Sequence, residues 1–276
     1  MPISALEIQS DFPQLAYRTG IVYPQVTSQA HLGIVLFCLG YLDQASARSS
    51  AAISEARKLA HPGSLATSLS VGAVRLSLLG DHAILGKWVD QLVAVATEQG
   101  FEYWRAGGIA LQGWVQVKNG SVAEGLRLLQ AGSNAYRATE SEAWMPYLFA
   151  LLARACEVAG QTEEALTLLA EALQIVERTG ERWYSAELNR HKGQLRLRQG
   201  HTDIAEELYR KALSIAQEQE AKLWELRAAI SLARLRRDEG RCAEARDLLA
   251  PVYGWFTEGF DTPDLKEAKA LLDELG

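Results

Sequence analysis

Glycine stands at positions 40, 80, 120, 160, 200 and 240, at an interval of 40 residues with no insertion. A fixed period of this length means stacked copies of one supersecondary unit, and it restricts the fold before any motif is weighed. Seven residues before each glycine stand Gly33, Ala73, Gly113, Ala153, Gly193 and Ala233, all small. Twelve residues after stand Ala52, Leu92, Gly132, Ala172, Ala212 and Val252. Small side chains at fixed offsets let helices cross closely, and a larger one would overpack the crossing by about 1–3 kcal/mol.

The offsets match the tetratricopeptide pattern, small at 0, small at +12 and bulky at +16, with the A-x3-F element clearest at Ala205 to Tyr209. The usual repeat has about 34 residues, so the extra ones must lengthen both helices away from their inner turn. A HEAT-like array, with a period of about 40–47, is the competing reading. The expected fold is all-α: a right-handed α-α superhelix of about six 40-residue hairpins. Helices are expected at 22–39, 42–60, 64–79, 82–99, 102–119, 122–138, 142–159, 162–178, 182–199, 202–218, 222–239 and 242–257. Residues 1–20 fit the register poorly and are expected to be an irregular cap or the remnant of a preceding repeat. Residues 21–260 form the array, and 261–276 a capping helix opened by Thr262-Pro263-Asp264. Thr162 and Thr202 are expected to cap the helices after their turn glycines. Pro146 is the one proline set inside a strong helical pattern.

An array grows by adding units, so 276 residues need no single large core. No apolar run reaches the ~20 residues of a membrane span, and the N-terminus lacks the order of a signal peptide. Cys38, Cys156 and Cys242 are widely spaced and odd in number, which suits a reducing, cytoplasmic setting. The net charge of −6 disfavours a nucleic-acid partner.

Site chemistry is sparse. Gly80 to Trp88, GDHAILGKW, is similar to a phosphate loop but has the wrong glycine spacing, and Trp88 stands where Ser or Thr would hold magnesium. The five histidines show no metal-ligand spacing, and no serine sits in a nucleophile elbow. No catalytic residue, cofactor or metal is expected. Trp104, Trp144, Trp183 or Tyr184, and Trp224 recur near the starts of successive first helices and read as core. The Gly107-Gly108 pair suggests a kink or a contact surface.

The concave face is the better functional candidate. Register places Trp114, Lys118, Tyr147, Arg154, Arg190, Gln194, Arg198, Arg227 and Arg234 on it. The first units contribute apolar and small residues such as Ala30, Ile34, Phe37 and Val74. The groove is therefore expected to be open, apolar at its N-terminal end and arginine-rich at its C-terminal end, where guanidinium groups can clamp carboxylates bidentately. The bland alternative is that these arginines pair with Glu187, Glu157 or Asp238 and complement helix dipoles.

GYLDQA (40–45), ATEQGFEYW (96–104), VERTGERWYSAELNRHKGQL (176–195) and EARDLLAPVYGWFTEGFDTPDLKEAKALLDEL (244–275) resemble a bacterial arrangement. It is the C-terminal tetratricopeptide region of large signalling proteins with an adenylate/guanylate cyclase or STAND-type ATPase ahead of the repeats. The resemblance implies a regulatory or scaffolding role in signal transduction; with the arginine-rich groove, the expected function is a non-catalytic module that binds a protein or peptide segment, acidic where the arginines clamp it. It equally leaves room for an effector sensor of small molecules or peptides that regulates a linked cyclase or ATPase, or for self-association. Neither a Walker A motif nor a cyclase metal site exists in this chain, so no catalytic residue carries over.

Overall fold

The computed structural model describes residues 22–276, and every regular element among them is a helix. Six antiparallel hairpins follow one another: α1 (Pro24–Cys38) with α2 (Leu42–Lys58), α3 (Pro62–Leu79) with α4 (His82–Glu98), and α5 (Glu102–Lys118) with α6 (Val122–Ala138). Then come α7 (Met145–Val158) with α8 (Thr162–Thr179), α9 (Ser185–Arg198) with α10 (Thr202–Glu218), and α11 (Lys222–Asp238) with α12 (Cys242–Gly254). The final helix, α13 (Pro263–Glu274), packs on α11 and α12 as a seventh first helix would. The expected residues 1–20 cap lies outside the described residues.

The period has a backbone cause. The chain enters the left-handed region every twenty residues, at 40, 60, 80 and onward to 240. Glycine fills most of these positions, but Ala60 (φ +48°), Glu140 (φ +61°) and Glu220 (φ +53°) fill three. Except after 140 and 180, each ends a helix by letting the next amide reach back to an orphan carbonyl, as Tyr41 N–H does to Leu36 O (2.9 Å) and Phe101 N–H to Ala96 O (2.8 Å). A helix that closes this way restarts at once, so the beat carries through both helices of each unit.

Helix–helix distance is then set by the small residues. A Cβ on Gly113 would sit 2.5 Å from Leu129 N, and one on Gly132 would sit 2.4 Å from Ala110 N. The α5–α6 crossing is thus backbone on backbone. Gly108 faces α4, where a Cβ would meet Val93 Cγ2 at 2.7 Å, and Gly107 lies over the Tyr136 ring. The pair is a contact surface, and α5 runs through it as one helix.

Three local expectations are corrected. First, α7 and α9 begin at Met145 and Ser185, not at 142 and 182. Trp144 precedes α7 at φ +66°, and its N–H is held by both carboxylate oxygens of Glu181 at 3.0 Å. Second, Pro146 therefore falls in the first turn, where no intrahelical N–H bond is lost, and does not interrupt the helix. Third, Thr162 and Thr202 are the first helical residues instead of caps; Gln161 and His201 precede them without side-chain caps.

The first helices line the inside and are the more buried set. Sequence register alone left that inner face open, but the spiral returns on itself. Phe37 of α1, fully buried, meets Trp224 of α11 with ring centroids 6.0 Å apart. Tyr41 meets Trp255 at 5.5 Å. Glu258 accepts hydrogen bonds from the amides of Asp43 (3.0 Å) and Gln44 (3.1 Å), and Asp43 accepts from Gly259 N–H (3.3 Å). The apolar N-terminal part of the inner face is thus core: Ala30, Ile34 and Val74 are all buried. Burying those side chains is favourable by about 1.5–3 kcal/mol for each large one, which is the force that closes the ring.

Candidate ligand cavity

Closure leaves one polar cavity on the inner face, about 340 Å³ in volume. It is walled by the ends of α3, α5 and α7, by α9 and α11, and by the starts of α4 and α13. Seven of the nine residues placed on the groove by register line it: Trp114, Lys118, Arg154, Arg190, Gln194, Arg227 and Arg234. The other two do not. Tyr147 is buried, its hydroxyl 2.5 Å from Ser77 Oγ, which joins α7 to α3. Arg198 is not part of the cavity wall and pairs with Glu157, which also meets His191 Nε2 at 2.7 Å. His82, Ser231 and Asp264 line the cavity without having been singled out by register. Of these, Asp264 carried a signal, the acid in the Thr-Pro-Asp start of the cap helix.

The cations divide into two sets. Glu187, buried on α9, accepts from Arg190 Nε (2.5 Å) and Nη2 (2.9 Å), and from Arg227 Nη1 (3.2 Å). Burial alone would raise the Glu187 carboxyl, but the two arginines over-compensate and hold it down at about 2. Arg227 also grips Asp264 bidentately at 2.7 and 2.8 Å, and donates to Leu78 O at 2.7 Å. Arg234 pairs with Glu267 at 2.6 Å. So the carboxylates of α9 and α13 answer three of the five cations, as the bland reading anticipated for Glu187.

Lys118 and Arg154 are the second set. Neither makes an ion pair or hydrogen bond among the described residues. Both lie against the indole of Trp114, with Nζ of Lys118 at 5.3 Å and the Arg154 guanidinium carbon at 5.0 Å from the ring centre. A cation over an aromatic face is attracted by the ring quadrupole, by about 0.5–2 kcal/mol. That holds the charge in place without neutralising it. The residual positive field shows on the neighbours: burial, then Lys118 and Arg154, lowers the His82 imidazole, and burial, then Arg154, lowers Lys118.

A second hollow of about 330 Å³ lies at the other end of the inner helices, walled by Ile34, Val35, Leu39, Trp144 and Trp183. The recurrent aromatics form its floor and run on into the core: Trp144–Trp183 at 5.2 Å, Trp183–Trp224 at 6.5 Å. Trp224 is fully buried, whereas Trp104, Trp144 and Trp183 are half-buried. Among the described residues no three His, Cys, Asp or Glu side chains gather as a metal site would need, and no helix is long and apolar enough to cross a membrane.

This fold and cavity define a helical-repeat, tetratricopeptide-like solenoid with a polar cavity on its inner face. Residues 141–218 match the tetratricopeptide repeat family model. An uncharacterized protein of Rhizobium meliloti (strain 1021) is 27% identical over 213 residues, covering 76% of this chain but 21% of its own length, so the chain spans about a fifth of that relative. NprR in complex with its cognate peptide NprX superposes with a TM-score of 0.63 at 13% identity, over 98% of this chain and 77% of the other. The tetratricopeptide repeat sensor protein of the STAND ATPase type from Pyrococcus horikoshii superposes with a TM-score of 0.56 at 10% identity, over 98% of this chain and 41% of the other. At these identities the likeness is one of fold.

Proposed function

We propose that the chain is a non-catalytic binding module of a bacterial signalling protein, taking an anionic segment of a protein or peptide at its inner cavity. The observation that carries this is the convergence of Lys118, Arg154, Arg190, Arg227 and Arg234 on one cavity, two of them without an ion-pair partner among the described residues. The likeness to peptide-bound NprR and to a STAND sensor supports the reading at the level of fold. A cytoplasmic setting and a linked cyclase or ATPase belong to the same proposal, and rest on the sequence resemblance of residues 244–275 and the widely spaced cysteines.

Ring closure favours one variant of this reading, an effector sensor. A cavity of about 340 Å³ holds a short segment or a small molecule instead of a long strand laid along an open groove. The test is binding of short acidic, neutral and basic peptides, followed by calorimetry and by thermal shift. Acidic peptides are expected to bind and to raise the midpoint by mass action. The triple change Arg154→Glu, Arg190→Glu and Arg234→Glu is expected to abolish this. Equal binding of all three peptide classes would contradict it. Self-association is tested alongside by light scattering across protein concentration.

A further inference from the structure

Within the cavity, the unanswered groups single out one corner. Lys118 and Arg154 make no ion pair with a carboxylate among the described residues, while every other cation on the wall has a partner within 3.2 Å. Two polar atoms in the same corner are buried and unpartnered: Trp114 Nε1, on a side chain 2% exposed, and His82 Nδ1. A buried N–H left without an acceptor costs about 1–3 kcal/mol, so a turn of either ring that brings its nitrogen to an acceptor in the cavity would be favoured.

We propose that this corner is a binding site for a phosphate monoester, held by Lys118, Arg154, Trp114 Nε1–H and His82. The inference rests on the cavity being the binding site of the module and narrows the anion it takes. Charge points to the group: two cations without a direct ion-pair partner match a dianion better than the single charge of a carboxylate, and a phosphate near neutral pH carries about −1.5 to −2. Donor count points the same way. An ammonium and an indole N–H from α5, a guanidinium from α7 and an imidazole nitrogen from α4 share the corner, and three phosphate oxygens can accept from all of them. Space decides the rest. The cavity is about ten times the ~30 Å³ share of one water, and Ser77, Gln194 and Ser231 continue its wall. A bare anion would leave most of it unfilled, whereas an ester brings a polar body to lie against those residues.

The test is titration of the whole chain, ¹⁵N-labelled, with inorganic phosphate, glycerol 3-phosphate and a short phosphoserine peptide, with succinate and the unphosphorylated peptide as controls. Saturable binding of one phosphate ester per chain, with a shift of the Trp114 indole N–H resonance, is expected. The stronger of glycerol 3-phosphate and the phosphopeptide identifies the source of the ester. Lys118→Ala and Arg154→Ala should each weaken binding roughly ten- to a hundredfold, since each removes a charge-assisted bond. Lys87→Ala, outside the corner, should leave it unchanged. Trp114→Phe keeps the stacked ring and should weaken binding severalfold, and thermal melts show that each variant remains folded. Absence of any phosphate-dependent shift, or a succinate affinity equal to that of the esters, overturns the inference. If the unphosphorylated acidic peptide still binds in that case, the function proposed above stands and only the phosphate site falls. If no anion of any kind binds, both fall.

Discussion

Asp43 and Glu258, 215 residues apart, hold the two ends of the array together: Glu258 accepts from the Asp43 amide, and Asp43 accepts from the amide next to Glu258. The pairing caps the start of α2 with a carboxylate from beyond α12, where an anion is favoured by the helix dipole. Around it the surfaces are close enough that a Cβ on Gly40 would lie 2.9 Å from Trp255 and Phe256, and one on Gly259 would lie 2.8 Å from Leu42 Cβ. This seam turns an open inner face into a bounded cavity.

Ala60→Gly, Glu140→Gly and Glu220→Gly are expected to stabilise the chain by about 0.5–1 kcal/mol each. All three residues sit in the left-handed region, where a Cβ costs ~1–2 kcal/mol, and glycine's greater unfolded-state entropy returns only part of that. Urea denaturation midpoints check it. The reverse change at the equivalent positions, Gly100→Ala and Gly180→Ala, should lower the midpoint although both sites are open to solvent.

Glycines inside the helices divide by what stands over them. Gly132→Ala should cost about 2–3 kcal/mol, because its methyl group would meet the Ala110 backbone at 2.4 Å and neither helix can retreat. Gly86→Ala should stabilise by about 0.5–1 kcal/mol, since its methyl group would find only Val115 Cγ1 at 3.8 Å and alanine is the better helix former. Paired denaturation curves of the two variants, read for opposite signs, are the check.

Acid should loosen the interior through Glu187. Its folded value of about 2 lies below that of an unfolded glutamate, ~4.3, so the folded chain binds fewer protons there. The contribution, about 3 kcal/mol, is complete above pH ~5 and is lost as pH falls toward 2. Glu187→Gln should flatten the fall in stability over that window. It should also destabilise at pH 7 by about 3–5 kcal/mol, because Arg190 and Arg227 lose their shared carboxylate. Denaturation at pH 7, 4 and 3 on both chains measures this.

Much of this architecture was legible in the sequence because the repeat is fixed by local chemistry. Helix ends follow residues that can turn left-handed, and crossings follow Gly and Ala at constant offsets. Both are visible in one chain. The register also named seven residues that now share a cavity wall, among them Trp114 and Arg154. What could not be read was closure. The contact of Phe37 with Trp224, or of Leu78 O with Arg227, depends on small rotations summed over every hairpin between them. No local pattern records that sum, so the apolar side chains of α1 and α3 pass for an open groove. The late starts of α7 and α9 were hidden for a similar reason: Glu181 supports the Trp144 turn from the next unit.

Distance measurement across the seam is the most direct test of ring closure around the inner cavity. Spin labels at Ser46→Cys and Thr257→Cys, both exposed, would be introduced into a Cys242→Ser background, the other two cysteines being buried or half-buried. A closed ring gives one narrow, short-distance population that broadens when Glu258→Ala is added. A long or broad distribution in the otherwise unaltered chain would show an open superhelix, and the bounded cavity with its two free cations would not exist as described.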